Sequence, residues 1–174
     1  MRWYILTLLL MVITVAFGQS IDRNQLRMYY IDATQRKSAL DSLTARLENI
    51  STRTPCEESY LGGCYALGTQ QVDGNWAKLK LVYKAKNCLN HAVERDPKDT
   101  ELRFLRFMLE HFLPAFLGLN KHISEDLKVV FEHPDFVDED PPLKKSVVEF
   151  LLWTKRCTPQ QTALLEKELA SMTH

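Results

Sequence analysis

Apolar residues recur along this chain at helical spacing, and almost nothing alternates with the period of two that marks a half-buried strand. Leu26, Ala33, Leu40 and Leu47 repeat every seven residues. Tyr29, Leu43 and Ile50 form a second such series, which Arg36 interrupts. Asp22 and Gln25 have the spacing of a capping box, with Ile21 and Leu26 placed as a hydrophobic staple. The pattern predicts one long amphipathic helix to about Glu48, the main part of an N-terminal unit over residues 19–53. Packing of that helix against the rest of the chain is favoured over a coiled coil, since about three heptads is a short run.

A second domain, over residues 54–174, is expected to be helical throughout. Thr54-Pro55-Cys56-Glu57 opens a helix with a cap, a first-turn proline and a glutamate that reaches back. Gly62, Gly63, Cys64, Ala66 and Gly68 then lower helix propensity, and close approach of a neighbouring helix is the reason to keep them. No strand precedes these glycines and no phosphate-loop pattern contains them. A turn over residues 70–75, with Asn75 as cap, leads to a helix with Trp76, Leu79, Tyr83, Leu89 and Val93 near one face. Asp96-Pro97 breaks that helix, and Asp99 or Thr100 caps the next. Pro114 ends or kinks the next helix, and a short one follows over residues 121–131. After an acidic loop over residues 133–142 come helices over residues 143–153 and from Thr158-Pro159 to Met172.

The stretch from Arg103 to Asn120 raises the main question. Leu102, Phe104, Leu105, Phe107, Met108, Leu109, Phe112 and Leu113 cover most of a helix, yet Asp99, Arg103, Arg106 and Glu110 form one polar stripe at spacings of four, three and four. Three readings fit. The stripe faces water as two i,i+4 ion pairs, worth about 0.2–0.5 kcal/mol each. Or the arginines join a tertiary ion network. Or Arg103, Arg106 and Glu110 line the concave side of a helical stack, where two guanidiniums would fork a carboxylate or phosphate of a partner.

Charge and composition narrow the function classes. Arg2 is the single charged residue among the first twenty, which leaves 21 basic against 22 acidic residues, a net of −1. That balance gives no electrostatic case for nucleic acid or a membrane surface. Arg2, the apolar run from Trp3 to Val15 and Ala16-Phe17-Gly18 read as a signal peptide over residues 1–18, so the expectation is export to the periplasm or beyond. No later segment is long enough for a transmembrane span. Cys56, Cys64, Cys88 and Cys157 permit three complete pairings in an oxidising compartment. Cys64 with Cys88 is the candidate disulfide, and four small buried hydrophobes are the alternative. The acidic loop lacks the spacing of a calcium-binding loop, and the histidines lack the spacing of a helical zinc site. No serine-nucleophile pattern is present, and no cofactor is implied.

Ala85, Leu89, Ala92 and Pro97 have the spacing of the second half of a tetratricopeptide repeat (TPR). The segment from Tyr60 to Leu67, the Lys-rich helix ending in His91-Ala92-Val93, and above all ELRFLRFMLEHFLPAFLGLNKHISED resemble a family of short exported proteins of Gram-negative bacteria with degenerate TPR-like helix pairs. The resemblance spans roughly residues 56–157 and implies export and an all-α fold, but brings no catalytic residue. The expectation is an all-α right-handed stack of antiparallel helix pairs, about seven helices in all. Its expected role is non-enzymatic, as a protein-interaction or scaffolding module that is a monomer or homodimer with a protein partner. A small-molecule or lipid carrier, with Leu105, Phe112, Phe116 and Trp153 around a pocket, is the alternative, and a cysteine-based enzyme a third.

Overall fold

The computed structural model describes residues 20–133 and 141–172. The signal-peptide reading, over residues 1–18, and residues 134–140 of the expected acidic loop lie outside them, while Pro141 and Pro142, expected in that loop, begin a helix. The described residues are all-α, with eight helices and no strand. They are α1 (Arg23–Gln35), α2 (Lys37–Glu48), α3 (Pro55–Gly68), α4 (Asn75–Arg95), α5 (Thr100–Phe112), α6 (Ile123–Glu132), α7 (Pro141–Thr154) and α8 (Pro159–Ser171). A 3-10 turn, Ala115–Leu117, follows α5.

The long N-terminal helix is instead two. Arg36 takes an extended conformation between α1 and α2, and the two helices then pack on each other. The apolar series continues unbroken across the corner: Leu26, Ala33, Leu40 and Leu47 are all buried. Periodicity survives a sharp bend when both arms keep the same face inward, so the seven-residue repeat could not reveal it. These four residues share one apolar cluster with Tyr60, Leu61, Cys64, Leu89, Leu105 and Leu109.

Capping sets most of the helix starts. Thr54 and Glu57 close a reciprocal capping box, as do Thr158 and Gln161, each followed by proline in the first turn. Asp22 accepts from the backbone N–H of Asn24 and Gln25, and Asp99 from those of Glu101 and Leu102. Gly74, at φ 86°, precedes α4, so Asn75 is a helical residue and not its cap.

Contacts between helices give their directions. Gly62 lies against Ala85, Cys88 and Leu89, and Gly68 against Leu81, so α3 and α4 run antiparallel. Arg103 meets Asp126 and Glu110 meets His122, so α5 and α6 do the same. In contrast, α1 and α3 run alike, with Ile21 beside Glu57 and Tyr30 beside Gly63. Helix α4 has 21 residues and α3 only 14, so the first turns of α4 overhang the end of α3 by about 10 Å at 1.5 Å per residue. That overhang exposes Trp76 (81 %); Tyr83, further along α4, is exposed as well (48 %), although periodicity had placed both on the inner face.

Helix α5 sits at the centre. Leu105 and Leu109 enter the first apolar cluster, while Phe104 and Phe107 enter a second with Leu127, Val130, Val147, Val148, Leu151 and Leu165. Leu102 packs with Ala92 and Val93 on a third side.

The small residues of α3 allow close approach of α4, and Gly62 is the decisive one. A Cβ there would stand 2.8 Å from Leu89 Cγ and 3.0 Å from the Ala85 carbonyl oxygen. At Gly68 the nearest atom would be 3.6 Å away, an ordinary contact. Gly62→Ala is expected to destabilise by about 1–3 kcal/mol through overpacking. Gly68→Ala is expected to be neutral or to stabilise by up to about 1 kcal/mol. Urea denaturation of both variants decides; equal effects would mean that α3 and α4 do not meet at Gly62.

Candidate functional site

The polar stripe of α5 is internal. Arg103, Arg106 and Glu110 are buried, because apolar clusters or neighbouring helices cover α5 on nearly every side. Arg106 forks the carboxylate of Asp126, with Nε donating to Oδ2 at 2.9 Å and Nη2 to Oδ1 at 2.6 Å. Arg103 Nη1 donates to Asp126 Oδ1 at 3.0 Å and to Glu125, and its Nε donates to the Pro97 carbonyl at 2.9 Å. Asp126 is fully buried in the first turn of α6, where the helix dipole also favours its negative charge. Burial by itself would lower the Arg103 guanidinium, but its bonds to Glu125 and Asp126 hold it above its ordinary value. The bond from Arg103 holds the Glu125 carboxyl below its ordinary value.

Glu110 serves the other end of the same helix pair. Its Oε2 accepts the backbone N–H of His122 at 2.7 Å, and its Oε1 lies 2.7 Å from His122 Nδ1. Lys86 Nζ is 3.4 Å from Oε1 and donates to the Leu119 carbonyl at 2.8 Å. Glu110 thus caps α6 from a different helix.

The fourth stripe residue, Asp99, pairs with Arg23 rather than with Arg103. Neither expected i,i+4 pair forms. Within the described network two cations, Arg103 and Arg106, meet two anions, Asp126 and Glu125, and Lys86 meets Glu110. No formal charge is left over. The candidate partner-binding role of Arg103, Arg106 and Glu110 therefore gives way to a structural one: the guanidiniums that would grip a ligand already grip α6.

A second buried set went unread in the sequence. Glu101 accepts from Arg23 at 3.0 Å, from Arg27 Nε at 2.8 Å and from the Tyr60 hydroxyl at 2.6 Å. Glu57 Oε1 accepts the Ile21 N–H at 2.8 Å while its Oε2 completes the capping box. These bonds tie α1 to α3 and α5. Their partners stand 36 to 78 residues apart, and no local spacing signals them.

Cys64 and Cys88 lie on adjacent helices, yet all four cysteines are free thiols. Cys64 faces Thr44 on α2, whereas Cys88 faces Glu58 and Arg53, so the two sulfurs serve different neighbours. Burial pushes Cys56, Cys64 and Cys88 up to about 12 and raises Cys157 as well. A thiol held protonated at neutral pH is a poor nucleophile. No group of three or more potential metal ligands occurs among the described residues.

The concave feature of the fold lies elsewhere. A cavity of about 710 Å³ opens between α1, α3, α4 and α5, walled on one side by the 3-10 turn. Leu105, Phe112 and Phe116 line it, as the carrier reading expected. Trp153 does not: it stacks on Phe150 at 6.0 Å and meets His111 and Phe112 on the α7 side of α5. Tyr30, Leu79, Val82 and Met108 complete the apolar wall, and Lys78 is the one charged residue in the lining. Gly63 admits the Tyr30 ring, which a Cβ there would meet at 2.8 Å.

No protein-family model, curated protein or solved structure matches this chain.

Asp126 holds both arginines, and Glu125 is more than half exposed. Asp126→Ala is expected to cost about 3–5 kcal/mol, because it strands two buried cations. Glu125→Gln should cost less than about 1 kcal/mol. Glu125 contributes stability that is fully present above its unfolded pKa, about 4.3. That contribution is lost as pH falls through the lower folded value. Thermal melts should therefore decline below about pH 4, less steeply for Glu125→Gln. An Asp126→Ala protein as stable as wild type would contradict the network.

Proposed function

We propose that this protein is a non-enzymatic exported carrier, which holds an apolar guest in the cavity between α1, α3, α4 and α5. The observation that carries the reading is the cavity itself. Its volume of about 710 Å³ falls within the range of small-molecule sites, about 300–1,000 Å³. Its lining is apolar and aromatic with a few polar groups, the usual make-up of such sites. Export rests on the residue 1–18 pattern, and a non-catalytic role on the wholly or partly buried thiols, which burial keeps protonated, and the absence of a nucleophile pattern. The contacts of α3 with both α1 and α5, besides those between consecutive helices, support a TPR-like arrangement of α3 with α4 and α5 with α6.

A protein-interaction role is the second reading, and one observation favours it. Phe112, Phe116 and Trp153 are exposed by 63 %, 87 % and 62 %, which is unusual for three neighbouring large aromatics. They offer a docking patch at the edge of the cavity.

Native mass spectrometry of the protein recovered after export tests the first reading. A retained small molecule is expected with wild type, and it should be lost in Val82→Trp, which fills the cavity, provided that circular dichroism shows a folded variant. Retention of the molecule by the filled variant would place the guest outside the cavity. A partner protein that leaves with Phe116→Asp instead would favour the second reading.

A further inference from the structure

The cavity has two chemically different ends. Leu89, Leu105 and Leu109 form its inner wall and are buried. Thr69, Gln70, Asn75 and Lys78 stand at the end where α4 overhangs α3. Lys78 is exposed and makes no ion pair among the described residues. Lys80 and Lys84 of the same helix make none either, but of the three only Lys78 lines the cavity. Halfway along the wall, the Tyr30 hydroxyl has no hydrogen-bond partner among the described residues. At about 30 Å³ per non-hydrogen atom, the cavity holds about 24 such atoms.

We infer that the guest is a long-chain carboxylate, with its tail between Leu89, Leu105 and Leu109 and its head at Lys78. The inference rests on the carrier reading above. Charge complementarity selects the head group. One lysine matches the single charge of a carboxylate, whereas a phosphate monoester carries about 1.5–2 charges and would leave part of its charge unmatched. Gln70 and Asn75, in the same lining as Lys78, carry amide donors for the second carboxylate oxygen. The apolar wall admits no further charge, since an unpaired ion there would lose its hydration without compensation. A second copy of the chain, or an apolar helix from a partner, would cover the cavity but would give Lys78 no acid to meet by default.

Isothermal titration of the protein with palmitate and with cetyl alcohol tests this. Palmitate is expected to bind one to one, about tenfold more tightly than the alcohol. Lys78→Gln should remove that preference, and Lys78→Arg should keep it. Val82→Trp, shown to be folded, should bind neither. Equal affinity for both probes, unchanged by Lys78→Gln, would overturn the carboxylate head while leaving the carrier reading intact. If neither probe binds folded wild type from which bound lipid has been extracted, the carrier reading falls and the inference with it. A dimer in analytical ultracentrifugation that Val82→Trp dissociates would assign the cavity to a second copy, and would overturn both.

Discussion

The burial of α5 on nearly all sides is the constraint from which the rest follows. A helix covered by apolar clusters on two faces and by α4 and α6 on the others has no wet side for Arg103, Arg106 and Glu110. Charges so placed are tolerated only when their partners come to them. Asp126 and Glu125 do so from the first turn of α6, and Lys86 does so from α4. The ion network is thus a consequence of the central position of α5, and it also fixes where α6 may sit. A purely apolar interface would permit sliding; Arg106 forking Asp126 at two points, with Glu110 gripping the His122 backbone, does not.

The same helix lends its Leu105 and Leu109 face to the cavity. A close-packed core would fill this space. Helix α4 outruns α3 by seven residues, so no part of α3 lies opposite its first turns. The glycines act at both ends of this arrangement. Gly62 brings α4 down onto α3, and Gly63 lets Tyr30 lie across α3 as one wall. Gly118, at φ 62°, turns the chain after the 3-10 segment so that Phe116 and Leu117 form the opposite wall.

Helix content, and most caps and stops, were legible in the sequence because they depend on residues within one turn of each other. The Thr54 and Thr158 boxes read correctly, and the structure chooses Asp99 over Thr100 as the cap of α5 and a stop over a kink before Pro114. The turn at Arg36 did not, because a bend that preserves the buried face leaves the apolar period intact. Trp76 misled for a related reason: periodicity assigns a face, but only the length of the partner helix decides whether that face is covered. The polar stripe of α5 was legible as a stripe. Its partners were not, since Asp126 lies 20 residues away from Arg106 on a helix whose first turn is acidic, as many are. The pairing of Glu101 with Arg23, Arg27 and Tyr60 left no local trace.

The network and the cavity are physically joined. The chain between α5 and α6 supplies Leu113, Phe116 and Leu117 to the cavity wall, and none of its 3-10 turn is buried. Apolar contact alone would hold such a segment weakly. It is held at its far end by Glu110, which accepts the His122 N–H, and near its middle by Lys86, which donates to the Leu119 carbonyl. Glu110 and Lys86 also face each other. One buried carboxylate therefore caps α6, neutralises a lysine of α4 and anchors the wall of the cavity. The residue that looked in sequence like part of a grip on an outside partner shapes the wall of a cavity without lining it.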